Sequence, residues 1–416
     1  MNEIRDLIVG LDFGRETTQI CYYDRKAQEP RSLSMKVGSS QYEAPTCLTR
    51  KADKGEFVVG LEARFFADEK NGLEVPELYE LCGTDQPILL GDDEVLPHML
   101  AAEFLKGMLA FLGVMDVVNN TSCLVITCPE FNATRVENLK KACKALGFPE
   151  NRFLMIDYGE SFYYYAMTQH KEPLSRSVAW YDFKGNKVKF RRLLVNRRKT
   201  PLLAMLSATE EMILPETPEL RDKKFCEFIE STLSKKEMYS SVQLTGNGFS
   251  QDWAKEAVKL LCFQKRKVFY GNNLYARGAC AAGKERKEDR NFKNYRFLSD
   301  SRIQKDIGME MQVMGSPTYV PLIEGGNNWY ECKSSCELIL DQTRDLIFIE
   351  STLGDSEKKR VSMPLPGLPE RPNKTTRLKL DLEFISPKEC TIRVEDLGFG
   401  EMFPSSGAVW VETFEW

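Results

Sequence analysis

Three glycine-containing turns, each at the end of an apolar run, constrain the fold of this 416-residue chain most strongly. They span residues 12–18, 182–187 and 245–249, and Asp12 and Asp182 open the first two. Around the first turn, in "IVGLDFGRETTQICYYD", the apolar pattern resumes after the bend, which predicts two antiparallel strands. Glycine allows a close backbone approach, and a bend can direct several N–H groups at one anion. The turns therefore predict either a split phosphate clamp or ordinary hairpins.

A clamp of this kind implies a definite chemistry. Asp12 and Asp182 would hold Mg²⁺ through water, because Mg²⁺ keeps much of its own hydration shell. The first two turns would contact phosphate, and the third would pack against adenosine. The cofactor expected in that case is ATP or ADP with Mg²⁺, and otherwise none. The candidate residues for nucleotide binding are Asp12, Gly14, Arg15, Thr17, Thr18, Asp182, Lys184, Gly185, Thr245, Gly246, Asn247 and Gly248.

The segments between the turns alternate between strand and helix patterns, whereas the last part of the chain does not. Residues 121–170 predict a strand-helix-strand-helix unit, in which Asn132 or Thr134 caps the first helix and Gly147 ends it. The charged, poorly periodic segment 283–300 predicts a boundary. Beyond it, "LKLDLEF" and similar runs alternate strictly between apolar and polar residues, which predicts a β-sandwich of about eight short strands.

Composition narrows the possible functions. The net charge of −4 argues against a dedicated nucleic-acid binder, and the basic run 189–199 is interpreted as a solvated strand face. The twelve cysteines are scattered, most of them in apolar runs, and the chain has only two histidines, so neither a disulfide framework nor a zinc site is expected. With no secretory signal and no apolar segment of membrane-spanning length, we expect a cytoplasmic protein without membrane insertion.

The order of these motifs resembles the actin-like ATPase superfamily and, within it, the seventy-kilodalton heat-shock (DnaK-type) chaperones. "GLDFGRETTQICYYD" and "VAWYDFKGN" resemble the two phosphate hairpins, "VQLTGNGF" and "ARGACAAG" resemble the adenosine turn and closing helix, and "PLPGLPERPNKTTRLKLDLEF" resembles part of the substrate-binding sandwich. Some bacterial DnaK-like proteins share this layout. The resemblance implies an α/β two-lobed actin-like ATPase fold, with lobe I at 1–165 and a reduced lobe II at 166–297. A β-sandwich at 298–416 would follow, without a helical lid.

The chain departs from this family's pattern at positions that, in the family, contact phosphate or take part in its hydrolysis. Arg15 and Glu16 replace small hydroxyl residues, and we expect them to pair with each other and fill the phosphate space. Lys184 replaces a glycine of the second hairpin, and Tyr158 stands where a catalytic glutamate is expected. A carboxylate about 4 Å from a phosphate would cost roughly 4 kcal/mol per charge pair at an effective dielectric of 20, so Glu16 disfavours a bound nucleotide.

Three functions remain open on the sequence. The chain is a degenerate DnaK-like pseudo-ATPase that binds protein or extended peptide, or an active ATP-dependent chaperone-like ATPase in which Arg15 and Lys184 replace the missing groups. The third is a small-molecule kinase of the same superfamily, for which no base can be placed. The first is preferred, because the architecture is intact while the positions for hydrolysis are altered. The resemblance implies strand addition as the mode of peptide binding.

Overall fold

The computed structural model describes residues 6–36, 41–169, 176–198, 200–233, 237–263, 266–353 and 357–415. Its contacts divide the chain into two compact units, residues 1–297 and residues 298–416. The fold is mixed α/β, with helices in the first unit and strands in both. None of the described helices combines the length and apolar character that crossing a bilayer requires. The basic segment 189–199 lies mostly in a strand, but its residue 199 is outside the described residues.

The strands of the first unit are β1 Leu7–Phe13, β2 Thr17–Asp24, β3 Glu29–Ser32, β4 Ala44–Pro45, β5 Leu48–Lys51, β6 Phe57–Val59, β7 Gly72–Glu74, β8 Ile88–Leu90, β9 Asp93–Val95, β10 Thr121–Cys128, β11 Phe153–Asp157, β12 Ser177–Lys184, β13 Lys187–Asn196, β14 Leu202–Leu206, β15 Glu210–Ile213, β16 Tyr239–Gly246, β17 Lys267–Tyr270 and β18 Tyr295–Leu298. Its helices are α1 Gly60–Asp68, α2 Leu78–Leu81, α3 Pro97–Ala110, α4 Val117–Asn120, α5 Ala133–Ala145, α6 Tyr158–Thr168, α7 Pro218–Thr232, α8 Lys255–Leu261 and α9 Leu274–Lys284.

Two sheets of the first unit have the same strand order and the same strand directions. The first sheet runs β11-β10-β1-β2-β3, and the second runs β17-β16-β12-β13-β14-β18. In each, a central strand is antiparallel to the strand that follows it and parallel to a later strand. The sequence contains no detectable repeat, because the two sheets have similar topologies but different amino-acid sequences. Strand β18 adds to the second sheet from within the segment predicted to be a boundary.

Helices α6 and α9 occupy the core that contains residues of both sheets. The core includes Ile8 of β1 and Trp180 of β12 together with the buried faces of the two helices. Helix α9 approaches the backbone of β1 closely, since a Cβ atom on Gly10 would lie 2.3 Å from the Ala276 carbonyl oxygen. A Cβ atom on Gly278 would likewise lie 2.0 Å from the carbonyl oxygen of Ser161 in α6. Small residues in α9 therefore bring these elements into close contact.

The helix termini in this unit follow from local side chains. Helix α5 begins after Asn132, whose side chain accepts a hydrogen bond from the Arg135 backbone N–H at 2.7 Å, so the predicted cap is confirmed. The chain leaves the helix at Gly147, which has a φ of +91°. Helix α6 begins at Tyr158, after Asp157, whose carboxylate caps it by accepting from the Glu160 N–H at 2.6 Å.

The second unit is all-β in the residues described, with eight strands in two antiparallel sheets. Its strands are β19 Lys305–Val313, β20 Ser316–Ile323, β21 Lys333–Ile339, β22 Asp345–Thr352, β23 Lys358–Pro364, β24 Arg377–Phe384, β25 Glu389–Asp396 and β26 Val409–Glu415. One sheet runs β20-β19-β22-β23 and the other runs β21-β24-β25-β26. The predicted alternation of β24 is confirmed, with Leu378, Leu380 and Leu382 buried and the residues between them more exposed.

Candidate functional site

Asp12 and Asp182 occupy equivalent positions in the two sheets. Asp12 lies near the end of β1 opposite Thr127 of β10, and Asp182 lies near the end of β12 opposite Thr245 of β16. Burial raises the pKa of Asp12, and the charges of Glu43 and then Asp182 raise it further, so Asp182 lies within electrostatic range of Asp12. The structure therefore brings together the two residues that the sequence singled out.

Two stacked tyrosines lie beside these carboxylates. The Tyr158 hydroxyl, at the start of α6, donates a hydrogen bond to Asp12 Oδ1 at 2.7 Å. The Tyr158 ring stacks on the ring of Tyr275 in α9, with centroids 3.6 Å apart and planes inclined by 9°. The Tyr275 hydroxyl lies near Asp182 and lowers the pKa of that carboxyl, although no hydrogen bond of normal geometry joins the two groups. The tyrosine pair thus links one carboxylate to the other.

Burial keeps the carboxyl of Asp12 protonated near neutral pH. The side chain is 4% exposed, and desolvation raises its pKa from 3.8 to about 8, partly offset by the Tyr158 hydrogen bond. Desolvation also raises the pKa of Asp182, to about 6, against the lowering effects of Tyr275 and Lys184. In the metal-free protein, a Mg²⁺ ion that bound this pair would have to displace the proton of Asp12, because metal ligands bind in their deprotonated form.

Three buried polar atoms near the carboxylates have no hydrogen-bond partner among the described residues. They are the Tyr275 hydroxyl, Oγ1 of Thr245 opposite Asp182, and Oε1 of Gln19 opposite Asp12. The amide nitrogen of Gln19 is satisfied, because it donates to the Asn272 carbonyl at 2.7 Å. Leaving a buried polar atom unpaired costs about 1–3 kcal/mol, so the surroundings of the two carboxylates are polar but incompletely satisfied.

The backbone donors of the three turns are used within the protein. The Gly14 N–H donates to the Thr17 carbonyl at 3.2 Å, so the first turn closes on itself. The Gly185 N–H donates to Oδ1 of Asn247 at 2.9 Å, which joins the second turn to the third. The Gly246 N–H donates to Oδ1 of Asn272 at 3.1 Å. Of the amides that a phosphate clamp would direct at an anion, these three already have an acceptor.

The glycines of the third turn are required by close packing. Gly246 has a φ of +98°, and a Cβ atom there would lie 1.9 Å from the Phe183 carbonyl oxygen. A Cβ atom on Gly248 would lie 2.1 Å from the Gly185 carbonyl oxygen. Arg221 of α7 fastens the two turns, since its guanidinium donates to the carbonyl oxygens of Gly185 and Gly248 at 2.6 and 2.9 Å. The glycine spacing therefore reflects contact between turns.

Threonines complete the first turn without facing an open anion site. The Thr18 hydroxyl lies 2.8 Å from that of Thr46, which donates to the Gly14 carbonyl oxygen at 2.8 Å. Thr17 is exposed and contributes its carbonyl to the turn. Both candidate threonines are therefore part of the hairpin's own bonding.

The expected pairing of Arg15 with Glu16 is wrong. Arg15 forms salt bridges with Glu80 and Glu130 on the other side of the turn, and its guanidinium lies 4.9 Å from the centre of the Tyr79 ring. Glu16 instead pairs with Lys184 of the second hairpin at 3.4 Å. The Glu16–Lys184 ion pair thus joins the tips of the two hairpins. The acidic partners of Arg15, in contrast, come from segments distant in sequence.

A cavity of about 360 Å³ lies beside the second and third turns. It is lined by backbone of Gly185 and Gly248, by Asn247, and by the side chains of Arg221 and Trp253, whose ring centre is 4.8 Å from the guanidinium. This is the region where the sequence predicted contact with adenosine.

Several residues of the site were not identified from sequence. Three of them lie outside the three turns: Tyr275, Asn272 and Arg221. Of these, only Asn272 lies in a sequence that indicates a turn, the "GNN" before α9. The described residues contain no group of three or more His, Cys, Asp or Glu side chains placed to hold a metal ion.

Comparison with known proteins identifies two domains of unknown function. Residues 302–416 match a domain of unknown function, DUF8552. No curated protein matches the chain. Residues 29–300 match the C-terminal model of a family of unknown function, DUF5716. Because that match covers well over half of its length, the chain belongs to the DUF5716 family.

Proposed function

We propose that this chain is a degenerate DnaK-like protein of the actin-like superfamily. In this proposal it is a pseudo-ATPase that has kept the two-lobed architecture, has closed the nucleotide cleft with tyrosines, and acts as a protein- or peptide-binding scaffold. ATP hydrolysis is weak or absent. The contact that carries the proposal is the Tyr158 hydrogen bond to Asp12, together with the stack on Tyr275 that reaches Asp182.

The two matching sheets support the actin-like part of the proposal. Their strand orders are the same, and each carries one aspartate near the end of its central strand. Two helices, α6 and α9, lie in the core between them, as the resemblance implies. For residues 298–416, a ring contact joins the two sheets, since Phe348 of β22 and Phe414 of β26 have centroids 6.3 Å apart. This contact favours the sandwich arrangement.

The chemistry of the cleft supports loss of hydrolysis. ATP brings several negative charges and a Mg²⁺ ion, and the ion needs the carboxylates of Asp12 and Asp182 in their charged form. In this protein Asp12 is buried and protonated at pH 7, and Tyr158 occupies one of its oxygens. Glu16, held at the mouth of the hairpins by Lys184, adds a further negative charge. Each of these features opposes a bound nucleotide.

Calorimetric titration with Mg–ATP and Mg–ADP tests the proposal. We expect no saturable heat up to 1 mM nucleotide (about −4 kcal/mol of binding free energy at a Kd of that size) and no hydrolysis above background. Asp12→Ala should then behave as the parent protein does in both assays. Stoichiometric binding with hydrolysis that Asp12→Ala abolishes would contradict the proposal. Tyr158→Ala, which removes the hydroxyl from Asp12, tests whether the tyrosine alone excludes the nucleotide.

An active chaperone-like ATPase is the alternative, and the cavity beside the third turn favours it. That cavity is lined by Arg221 and Trp253, a cation and a ring on which an adenine could stack. Titration with adenosine, followed by tryptophan fluorescence, separates the two functions. If adenosine quenches the fluorescence and Trp253→Phe abolishes this quenching, the result supports the ATPase. If adenosine does not change the fluorescence, the result supports the scaffold. The small-molecule kinase has less support, since no side chain can be assigned as its base.

A further inference from the structure

The four outer strands of residues 298–416 differ in how their edges are protected. Exposed edges attract other strands, and proteins block them with proline, lysine or a covering element. Strand β20 contains Pro317 and Pro321, and β23 opens with the basic residues 358–360. Strand β21 carries Lys333, and β20 lies beside it. Strand β26 has the sequence "VWVETFE", with neither proline nor a basic residue.

The hydrogen-bond register shows which backbone groups of β26 are available. The Asp396 N–H donates to the Ala408 carbonyl at 3.0 Å, and the same register pairs Val409 with Glu395 and Val411 with Arg393. In an antiparallel pair, hydrogen-bonded and non-hydrogen-bonded positions alternate. The even-numbered residues of β26 therefore bond to β25. The N–H and C=O groups of the odd-numbered residues point away from β25, toward an edge that pairs with no other strand in the described part of the chain and is called the free edge below. These residues are Val409, Val411, Thr413 and Glu415.

The side chains on this edge indicate what would bind it. Val409 is 43% exposed and Val411 is 59% exposed, so an added strand could cover apolar surface. Glu412 and Glu415 are also exposed, and they are the charged residues of the strand. A second copy of β26 would place four carboxylates on one ribbon without a compensating cation, which is unfavourable. Because side chains alternate along a strand, Glu412 lies on the opposite face of β26 from Val409 and Val411. A strand with β-branched residues on one face and basic residues on the other therefore matches both the two valines and Glu412.

We propose that the free edge of β26 binds an extended, basic segment of a partner protein by strand addition. The segment adds main-chain hydrogen bonds to Val409, Val411 and Thr413, and its lysine or arginine side chains lie on the face that carries Glu412. This inference deepens the proposed scaffold function, on which it rests, by assigning the edge and the chemistry of the partner.

The probe is a fluorescein-labelled hexapeptide of three Val-Lys repeats, titrated into the full chain and followed by anisotropy. We expect saturable binding that weakens several-fold in 0.5 M NaCl, because salt screens exposed charges. Two control peptides should bind at least tenfold more weakly. One has glutamate in place of lysine, and the other has alternate backbone amides methylated, so that it cannot pair as a strand.

Variants locate the site on β26. Val411→Pro removes an outward N–H without removing a bond to β25, and we expect about tenfold weaker binding. Ser335→Pro makes the matched change at an outward position of β21 and should leave affinity unchanged. Val411→Lys keeps the backbone intact and repels the basic probe, so a loss of affinity there supports the assignment even where the proline variant misfolds. Glu412→Gln should remove most of the salt dependence, whereas Glu415→Gln, on the opposite face of β26, should change it little.

Amide exchange resolved to single residues gives an independent readout. On peptide binding, exchange should slow at Val409, Val411 and Thr413, whereas Trp410 and Glu412 are already bonded to β25 and should change little. Four results would overturn the assignment: no binding at 1 mM probe, affinity unchanged in both Val411 variants, protection on another strand, or a dimer that Val411→Lys dissolves. Protection on another strand would contradict the assignment to β26 but not the scaffold function. Nucleotide binding and hydrolysis, measured as described above, would contradict the scaffold function itself.

Discussion

Replacement of Asp12 by asparagine should change how the stability of the protein depends on pH. Burial raises the pKa of Asp12 from 3.8 to about 8, so the folded protein holds a proton that the unfolded chain releases above pH 4. A group of this kind contributes stability that is fully present below its unfolded pKa and is lost as the pH rises through its folded pKa. Asparagine has a similar shape, accepts the Tyr158 hydrogen bond and stays neutral at every pH.

The size of the effect follows from the shift. Each pH unit between the two pKa values changes the free energy of unfolding by about 1.4 kcal/mol, so the full interval from pH 4 to pH 8 is worth on the order of 5 kcal/mol. The stability of Asp12→Asn relative to the parent should therefore increase steadily with pH and become constant above pH 8. Asp182→Asn should show a smaller increase that ends near pH 6, since the pKa of Asp182 rises only to about 6.

Urea unfolding of the parent and the asparagine variant at pH 5, 6, 7, 8 and 9 measures this difference. Groups other than Asp12 titrate alike in both proteins and cancel, so the slope of the difference reports Asp12 alone. Tyr158→Phe is the matched control, because losing the hydrogen bond that lowers the pKa of Asp12 should move the levelling point above pH 8. A difference that does not vary with pH, or an asparagine variant less stable at pH 8 than at pH 5 relative to the parent, would refute the buried, protonated carboxyl.

Three further predictions concern stability and thiol chemistry. Asp396→Asn should destabilise residues 298–416 by about 3 to 5 kcal/mol in urea, because it leaves the buried Arg371 guanidinium without the carboxylate that accepts two bonds at 2.7 Å. Gly246→Ala should cost about 3 kcal/mol or more, since its Cβ would overlap the Phe183 carbonyl at a φ of +98°. In the native protein at pH 8, Cys262 should react first with a disulfide reagent, because it is the exposed member of the twelve cysteines.

Each of these three changes has a matched control. Arg344→Ala breaks an exposed pair, in which Arg344 and Glu370 are 62% and 87% exposed, and should cost less than about 1 kcal/mol. Gly113→Ala places a Cβ atom at a φ of +64° with no atom within 4 Å, and should cost about 1 kcal/mol of backbone strain alone. Cys262→Ser should remove the fast phase of thiol labelling. If a variant and its control lose equal stability, the structural explanation for that variant is contradicted. Fast labelling that persists in Cys262→Ser would contradict the assignment of the most reactive thiol to Cys262.

Local signals in the sequence predicted the elements of the site better than its contacts. The cap at Asn132 and the hairpin around Asp12 follow from residues within a few positions of one another, and both are present. The partners of Arg15 could not be found in this way, because Glu80 and Glu130 approach it through the packing of separate elements. Proximity in sequence suggested Glu16, although the side chains of two adjacent turn residues need not face each other.

The glycine pattern shows a second limit of sequence analysis. Gly246 and Gly248 were interpreted as positions where backbone packs closely against adenosine, since glycine is required wherever a close approach occurs. In the structure the groups that approach them are the carbonyl oxygens of Phe183 and Gly185. The need for glycine at these positions was predicted correctly. The group that approaches each glycine was not, because the sequence does not show which atoms pack against it. Tyr275 was missed for a related reason, since an aromatic residue in a helix is ordinarily a core residue.

The packing of α9 on β1 has a consequence for how the protein is made. The Cys280 thiol donates to the Ile8 carbonyl oxygen across 272 positions of sequence, so the core of the first sheet needs a helix that is synthesised much later. At about 5–20 residues per second, a nascent β1 waits on the order of tens of seconds for α9. During that time its apolar face is uncovered, and the long loop to be closed slows folding further. Assembly of this unit is therefore exposed to aggregation on the ribosome until α9 is made, a helix in which seven of the eleven residues are glycine, alanine or cysteine.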